Sequence, residues 1–319
     1  NTIFKNLIAQ PTNFEADSPG DVIQYIAAHD NLTLFDIIAQ SIKKDPSKAE
    51  NYAEIHRRLR LGNLMVLTAQ GTPFIHSGQE YGRTKQFLDP AYKTPVSEDK
   101  VPNKSHLLRD KDGNPFVYPY FIHDSYDSSD AVNKFDWTKA TDKKAYPENV
   151  KSRDYMKGLI ALRQSTDAFR LKSLQDIKER VRLITVPGQN GVENEDVVIG
   201  YQITAPNGDI YAVFVNADEK AREFTLGTDF AHLRNAEVLA DENQAGSVGI
   251  ANPKGLEWTE KGLQLNALTA VVLRLSQGGA IVAPAVEEKP EFDLSSLEVE
   301  QEPGQVQNLA ANPDTQETT

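Results

Sequence analysis

Three groups of side chains in this sequence have the types and spacing to act on a polar substrate. His29, Asp30 and Asn31 stand together directly after a short apolar run at 22–27. Gln79 and Glu80 follow a second such run at 73–75, and Asp124, Tyr126 and Asp127 interleave two carboxylates with an aromatic ring. An apolar run that stops abruptly at hydrogen-bonding residues reads as a buried parallel strand whose end opens on a cleft. A carboxylate there faces either solvent in a cleft or a structural partner. A ring among acids suits sugars, whose C–H faces stack on it while their hydroxyls donate to the acids. The residues alone leave alternatives open. Asp30 can be the N-cap of the following helix, His29 a buried histidine bonded to backbone, and Asn31 a local turn residue.

The elements that position these groups divide the chain. Residues 1–164 have an α/β pattern. Leu34, Ile37, Ile38 and Ile42 predict a helix over 32–42, and Tyr52, Ile55, Leu59 and Val66 a longer one over 48–70, apolar nearly all round in its second half and ended by Gly71. Residues 83–148, rich in proline, read as mostly loop, and a loop of that length inside a domain points to function. Residues 149–164 read as a closing helix. Beyond Ser165 the period falls to two: strands are expected at 181–186, 197–204, 210–215, 223–226, 236–239, 262–265 and 270–275, with a hairpin turn at Asn207-Gly208, giving an antiparallel sandwich. The strands at 197–215 and 267–275 are expected to share one sandwich, packed on the helix 150–164.

Composition narrows the function. The 319 residues are 39% hydrophobic and 25% charged, with no cysteine, so disulfides, thiol catalysis and thiolate metal sites are excluded. Of the net charge of −12, residues 276–319 carry −8 through nine acids and one lysine. The near-neutral remainder has no basic stripe for nucleic acid, and no run is long enough to span a membrane. No signal-peptide pattern stands at Asn1. Histidine spacing offers no zinc site. Asp124, Asp127 and Asp130 lack the alternating oxygens and central glycine of a calcium loop. Gly188-Gln189-Asn190-Gly191 is a turn and not a phosphate cradle, since no βαβ pattern surrounds it.

Residues 25–36 and 71–80, with Asp124-Ser125-Tyr126-Asp127-Ser128-Ser129-Asp130 and Asn133-Lys134-Phe135-Asp136-Trp137, resemble the type I pullulanases of the α-amylase superfamily, in particular streptococcal-type surface enzymes. The resemblance runs from about Ile3 to Leu275. It implies that 1–164 is the C-terminal part of a (β/α)8 barrel, where active-site groups gather at the carboxyl ends of strands, that 165–277 is a β-sandwich domain, and that 278–319 is an acidic disordered linker. It implies hydrolysis of α-1,6-glucosidic bonds in pullulan, glycogen or branched dextrins by a retaining mechanism. Asp30 would stabilise the transition state, and His29, Asn31, Asp124, Tyr126 and Asp127 would bind substrate. Glu80 would support the barrel rim. Read from their own context, His76 is a core residue rather than a catalytic one, and Arg83 and Lys85 are either solvated charges at a loop start or contacts to a sugar or an acid in the cleft.

A retaining glycosidase needs two carboxyl groups roughly 5 Å apart. In the resembled family both lie on strands before the His-Asp strand, in runs that this sequence lacks. The expectation is therefore the C-terminal piece of a larger hydrolase, inactive without its upstream part, needing no cofactor here (calcium belonging, if anywhere, to the longer protein), and found extracellularly at the cell wall. The competing class is a non-catalytic glucan-binding or adhesive surface module.

Overall fold

The computed structural model describes residues 2–186 and 197–277. The expected linker at 278–319 and the turn at Gly188–Gly191 lie outside the described residues. Helix α1 (Thr2–Leu7) leads to strand β1 (Ile23–Gln24), helix α2 (Leu34–Ile42), helix α3 (Ala49–Thr68) and strand β2 (Thr72–Pro73). The strands pair in parallel, Ile23 beside Thr72 and Gln24 beside Pro73. Both are shorter than the apolar runs predict, and they are not buried: Ile23 is 52% exposed, Tyr25 58% and Phe74 42%. Each has one neighbour among the described residues, so the regular ladder extends no further. Gly71 makes the tight entry into β2 possible. Its φ is +95°, and a Cβ there would sit 2.7 Å from the Val22 carbonyl oxygen.

Helix α2 starts at Thr33, whose hydroxyl accepts from the Asp36 amide at 3.3 Å. Helix α3 belongs to two cores, which explains its apolar girth. Ile55 and Leu59 pack with Leu34, Phe35, Leu108, Phe116 and Phe121, while Leu61, Leu64 and Leu67 pack with Tyr155, Leu159, Tyr201 and Val213.

Residues 83–148 are more ordered than the expected loop. They contain a hairpin, β3 (Ser105–Arg109) and β4 (Pro115–Ile122), then short helices α4 (Asp130–Asn133) and α5 (Trp137–Thr141). A register shift between Leu107 and Arg109 and a left-handed Tyr118 (φ 58°) break the alternation that would reveal such a hairpin in sequence. Helix α6 (Pro147–Gln164) follows, starting on a proline.

A short helix, α7 (Leu174–Arg180), capped by Ser173, was not expected. Five antiparallel strands then form a central sheet in the order β5 (Val181–Leu183), β6 (Val198–Thr204), β7 (Ile210–Asn216), β12 (Thr269–Leu275), β9 (Glu237–Ala240). A second sheet joins β10 (Leu256–Trp258), β11 (Gly262–Leu265) and β8 (Arg222–Thr225). The expected hairpin turn is present, with Gly208 at φ +91°. The central sheet is covered on both faces. Tyr201, Ile203, Tyr211, Val213 and Val272 meet α3 and α6, and Ala212, Phe214, Val271 and Leu273 meet Phe224, Leu263 and Leu265 of the second sheet. The strands at 198–216 and 269–275 therefore do share a core with α6. Among the described residues no helix is long and apolar enough to cross a membrane.

Candidate functional site

The chain leaves β1 through Tyr25 and Ile26 and turns outward at His29 and Asp30. The His29 Nε2 lies 3.5 Å from Asp30 Oδ1, and the two side chains are 80% and 88% exposed. Thr33, not Asp30, caps α2, so the Asp30 carboxylate is left facing solvent. Asn31 has a left-handed backbone (φ 65°), and its side-chain oxygen accepts from the Leu32 amide at 2.9 Å. Its carbonyl oxygen accepts from the Lys85 ammonium. The local turn bond is thus part of what Asn31 does.

Beside this turn lies a cavity of about 150 Å³ lined by His29, His76, Ser77, Arg83, Ser125, Asn133 and Phe135. His76 is half-buried on its wall and not in the core, a correction to the sequence reading. Burial first, then the nearby charges of Arg83 and Lys85, hold His76 below the ordinary imidazole range. Arg83 and Lys85 are also not the solvated charges expected at a loop start: they are only 8% and 2% exposed. The reason is that the segment after Tyr81 folds back under α2. The Arg83 guanidinium donates to the Val132 carbonyl at 3.1 Å, and the Lys85 ammonium is within 3.5 Å of Ser125 Oγ. Burial lowers the Lys85 pKa, opposed by the carboxylates of Asp36, Asp124 and Asp30. Asp36 itself is fully buried and accepts from the Lys85 amide at 2.8 Å and from the Thr84 hydroxyl. Desolvation raises its pKa to about 6 despite those bonds.

Asp124 and Asp127 converge on one cation. Lys104 Nζ lies 3.0 Å from Asp124 Oδ2 and 3.1 Å from Asp127 Oδ1. Its bond, together with that of the Tyr126 amide, holds the Asp124 carboxyl below its usual range. Tyr126 between them is 95% exposed. Asp130 does not join this pair; it begins α4. Among the described residues no group of three or more histidines and acids is arranged to hold a metal ion. Glu80 folds back on its own loop and accepts from the Gly78 amide at 2.9 Å, while Gln79 donates to Asn63 at 2.7 Å.

Asp30, which pairs with His29, and Asp124 therefore both come within electrostatic reach of the buried cation Lys85, from different segments of the chain. Lys104, Asn133 and Phe135 are additions that residue-by-residue reasoning did not assign. For Asn133 and Phe135 a signal existed, since both lie in the quoted run at 133–137. Nothing local marks Lys104. Such a rim offers donors and acceptors for several hydroxyls, aromatic surface at its edges, and an exposed carboxylate beside His29.

The SpuA C-terminal family matches residues 180–276. Pullulanase A of Streptococcus pneumoniae serotype 2 is 91% identical over 298 residues, covering 93% of this chain and 24% of that protein. This chain thus spans about a quarter of the length of the curated relatives it matches. The catalytic module of a multi-modular glycogen-degrading pneumococcal virulence factor, SpuA, solved with an inhibitor, superposes with a TM-score of 0.86 at 94% identity over 87% of this chain and 39% of that one. The Group B Streptococcus pullulanase SAP in complex with maltotetraose gives 0.81 at 56% identity, over 86% of this chain and 35% of that one. With identity of this level across nearly its whole length, the chain corresponds to one part of the streptococcal pullulanases.

Proposed function

We propose that this chain supplies one wall of the glucan-binding cleft of an extracellular pullulanase, which hydrolyses α-1,6-glucosidic bonds in pullulan and branched α-glucans with retention of configuration. In this reading β1 and β2 are neighbouring strands of a (β/α)8 barrel. The nucleophile and general acid come from other strands of the longer protein, about 5 Å apart as retention requires. The exposed apolar face of Ile23, Tyr25, Ile26 and Phe74 supports this, because the remaining strands would cover it. Asp30 stabilises the oxocarbenium-like transition state, His29 holds a hydroxyl of the cleaved sugar, and Asn31 contributes through the turn that sets both. Asp124, Tyr126 and Asp127 contact the neighbouring sugars. Similar solved structures include a product complex of a glycogen-degrading factor and a pullulanase in complex with maltotetraose, which supports an α-glucan as the ligand.

The observation that carries the reading is the His29–Asp30 pair, free of any capping role and exposed at the mouth of the His76–Arg83 cavity. A fixed carboxylate acts there more on the charged transition state than on the neutral ground state. In the longer pullulanase, Asp30→Asn keeps the shape and removes the charge, so kcat for pullulan is expected to fall at least about 100-fold, roughly 2.7 kcal/mol. Glu80→Gln is expected to keep kcat and to lower the thermal midpoint through a weakened loop bond of about 1–3 kcal/mol. Near-normal turnover in Asp30→Asn, with folded but inactive Glu80→Gln, reverses the two assignments. Glucan retention on a column without turnover in the longer protein would instead make the chain part of a binding module.

A further inference from the structure

Next to the His29 cavity three aromatic rings form a ladder from the interior to solvent. Tyr81 is 1% exposed and fixed at both ends: its hydroxyl accepts from the Asp136 amide at 2.9 Å, and its carbonyl from the Asn149 side chain at 2.9 Å. Phe135 packs on it edge-on, with centroids 4.9 Å apart, and itself lines the cavity that contains His29. Trp137 packs on Phe135 at 4.5 Å and is 70% exposed. Asp136 caps α5 through the Lys139 amide at 3.0 Å, which locks Trp137 at the first helical position.

We propose that Phe135 and Trp137 form a stacking platform for a further glucosyl ring of an α-glucan chain, continuous with the His29 cavity; the proposal rests on the reading of that cavity given above. Isolated exposed apolar residues are ordinary, but this surface is contiguous with a cavity and held rigid from beneath. Rigidity means that little side-chain entropy is lost on binding. Beside Phe135 the Asn133 side chain lines the same cavity; its amide nitrogen donates to the Ser125 and Ser128 carbonyls at 2.7 and 3.0 Å, which leaves its oxygen as an acceptor at the border of the apolar rings. That combination matches a pyranose, which has an apolar face and a hydroxyl perimeter. It does not match a lipid, which would leave the polar border unpaired.

Trp137 can be observed directly, because the chain has two tryptophans and the other, Trp258, packs against the core between the two sheets. In the 319-residue chain carrying Trp258→Phe, maltotetraose is expected to shift the Trp137 emission and to shield it from acrylamide. Adding Phe135→Ala is expected to weaken half-saturation at least about 5-fold, on the scale of an aromatic stacking contact. In the longer pullulanase, Trp137→Ala is expected to raise KM for pullulan about 10-fold, or about 1.4 kcal/mol, with kcat within about 2-fold, because a ring away from the cut binds ground and transition states alike. Unchanged emission with maltotetraose, or an unchanged KM in Trp137→Ala, overturns the platform whatever Asp30→Asn does. Normal turnover in Asp30→Asn beside a raised KM in Trp137→Ala removes the role of Asp30 and leaves the platform standing.

Discussion

Phe214 and Phe74 are the same residue in similar apolar surroundings in sequence, yet Phe214 is completely buried and Phe74 is 42% exposed. Phe214 lies in β7, with β6 on one side, β12 on the other, and a second sheet over its face, where Phe224 meets it at 5.2 Å. Phe74 stands one residue beyond β2, whose ladder has a single neighbour, and its ring touches Tyr25 at 6.0 Å. The contrast holds for whole regions: the central sheet is closed on both faces, whereas among the described residues the β1–β2 pair is open along both outer edges. Stability is concentrated in the first, and the proposed chemistry in the second.

The largest test of this contrast is in the closed region. Phe214→Ala is expected to cost about 3–5 kcal/mol in chemical denaturation, through lost transfer energy and a cavity that rigid sheet neighbours cannot close. Gly158→Ala probes the same packing from the helical side, since a Cβ there would lie 1.8 Å from the Ala245 carbonyl oxygen, which is backbone and must be displaced. A loss of about 2 kcal/mol or more is expected. Wild-type stability in either variant would mean that the sheet is not the anchor of the fold.

An intermediate effect comes from Asp36, which ties α2 to the segment beneath the cavity. Its carboxyl rises from 3.8 to about 6 on folding because it is buried. The folded state therefore keeps a proton that the unfolded state releases between about pH 4 and pH 6. The associated stability is fully present below about pH 4 and is lost as pH rises through about 6. The stability difference between the wild type and Asp36→Asn should thus change by about 2–3 kcal/mol between pH 4 and pH 7, in favour of the variant at the higher pH. A difference that does not vary with pH would mean that Asp36 is charged throughout.

The smallest expected effect is at the open edge. Phe74→Ala in this chain is expected to cost less than about 1 kcal/mol, because a ring already half in water has little burial to lose. Hydrogen exchange should agree, with fast exchange at Thr72 and Phe74 and slow exchange along β7 and β12. If Phe74→Ala costs as much as Phe214→Ala, or if the two regions exchange alike, the edge is a closed core and the comparison fails.

Much of this was legible in the residues. The spacing of Leu34, Ile37 and Ile38 marks α2, and Asn207-Gly208 marks the hairpin between β6 and β7, because both are set by local chain geometry. The motif residues His29, Asp30, Asp124 and Tyr126 could be singled out by type and by family resemblance. What local reading missed has local causes too: α7 is a single short amphipathic stretch, β10 has three residues, and the β3–β4 hairpin has its alternation broken by a register shift.

Sequence by itself determined the long helices α2, α3 and α6, the hairpin turn and the family resemblance, because those depend on residues near one another in the chain. Tertiary structure decided which charges are buried and which apolar residues are not. Lys85 is polar in sequence and nearly inaccessible in the fold; Ile23 and Tyr25 are apolar and exposed. Burial depends on what packs from far away, on α2 and Ser125 over Lys85 and on β1 having a single neighbour among the described residues. The same long-range packing brings Lys104 to Asp124 and Asp127, a contact that strand pairing of Ser105 with Ile122 creates and no local pattern announces.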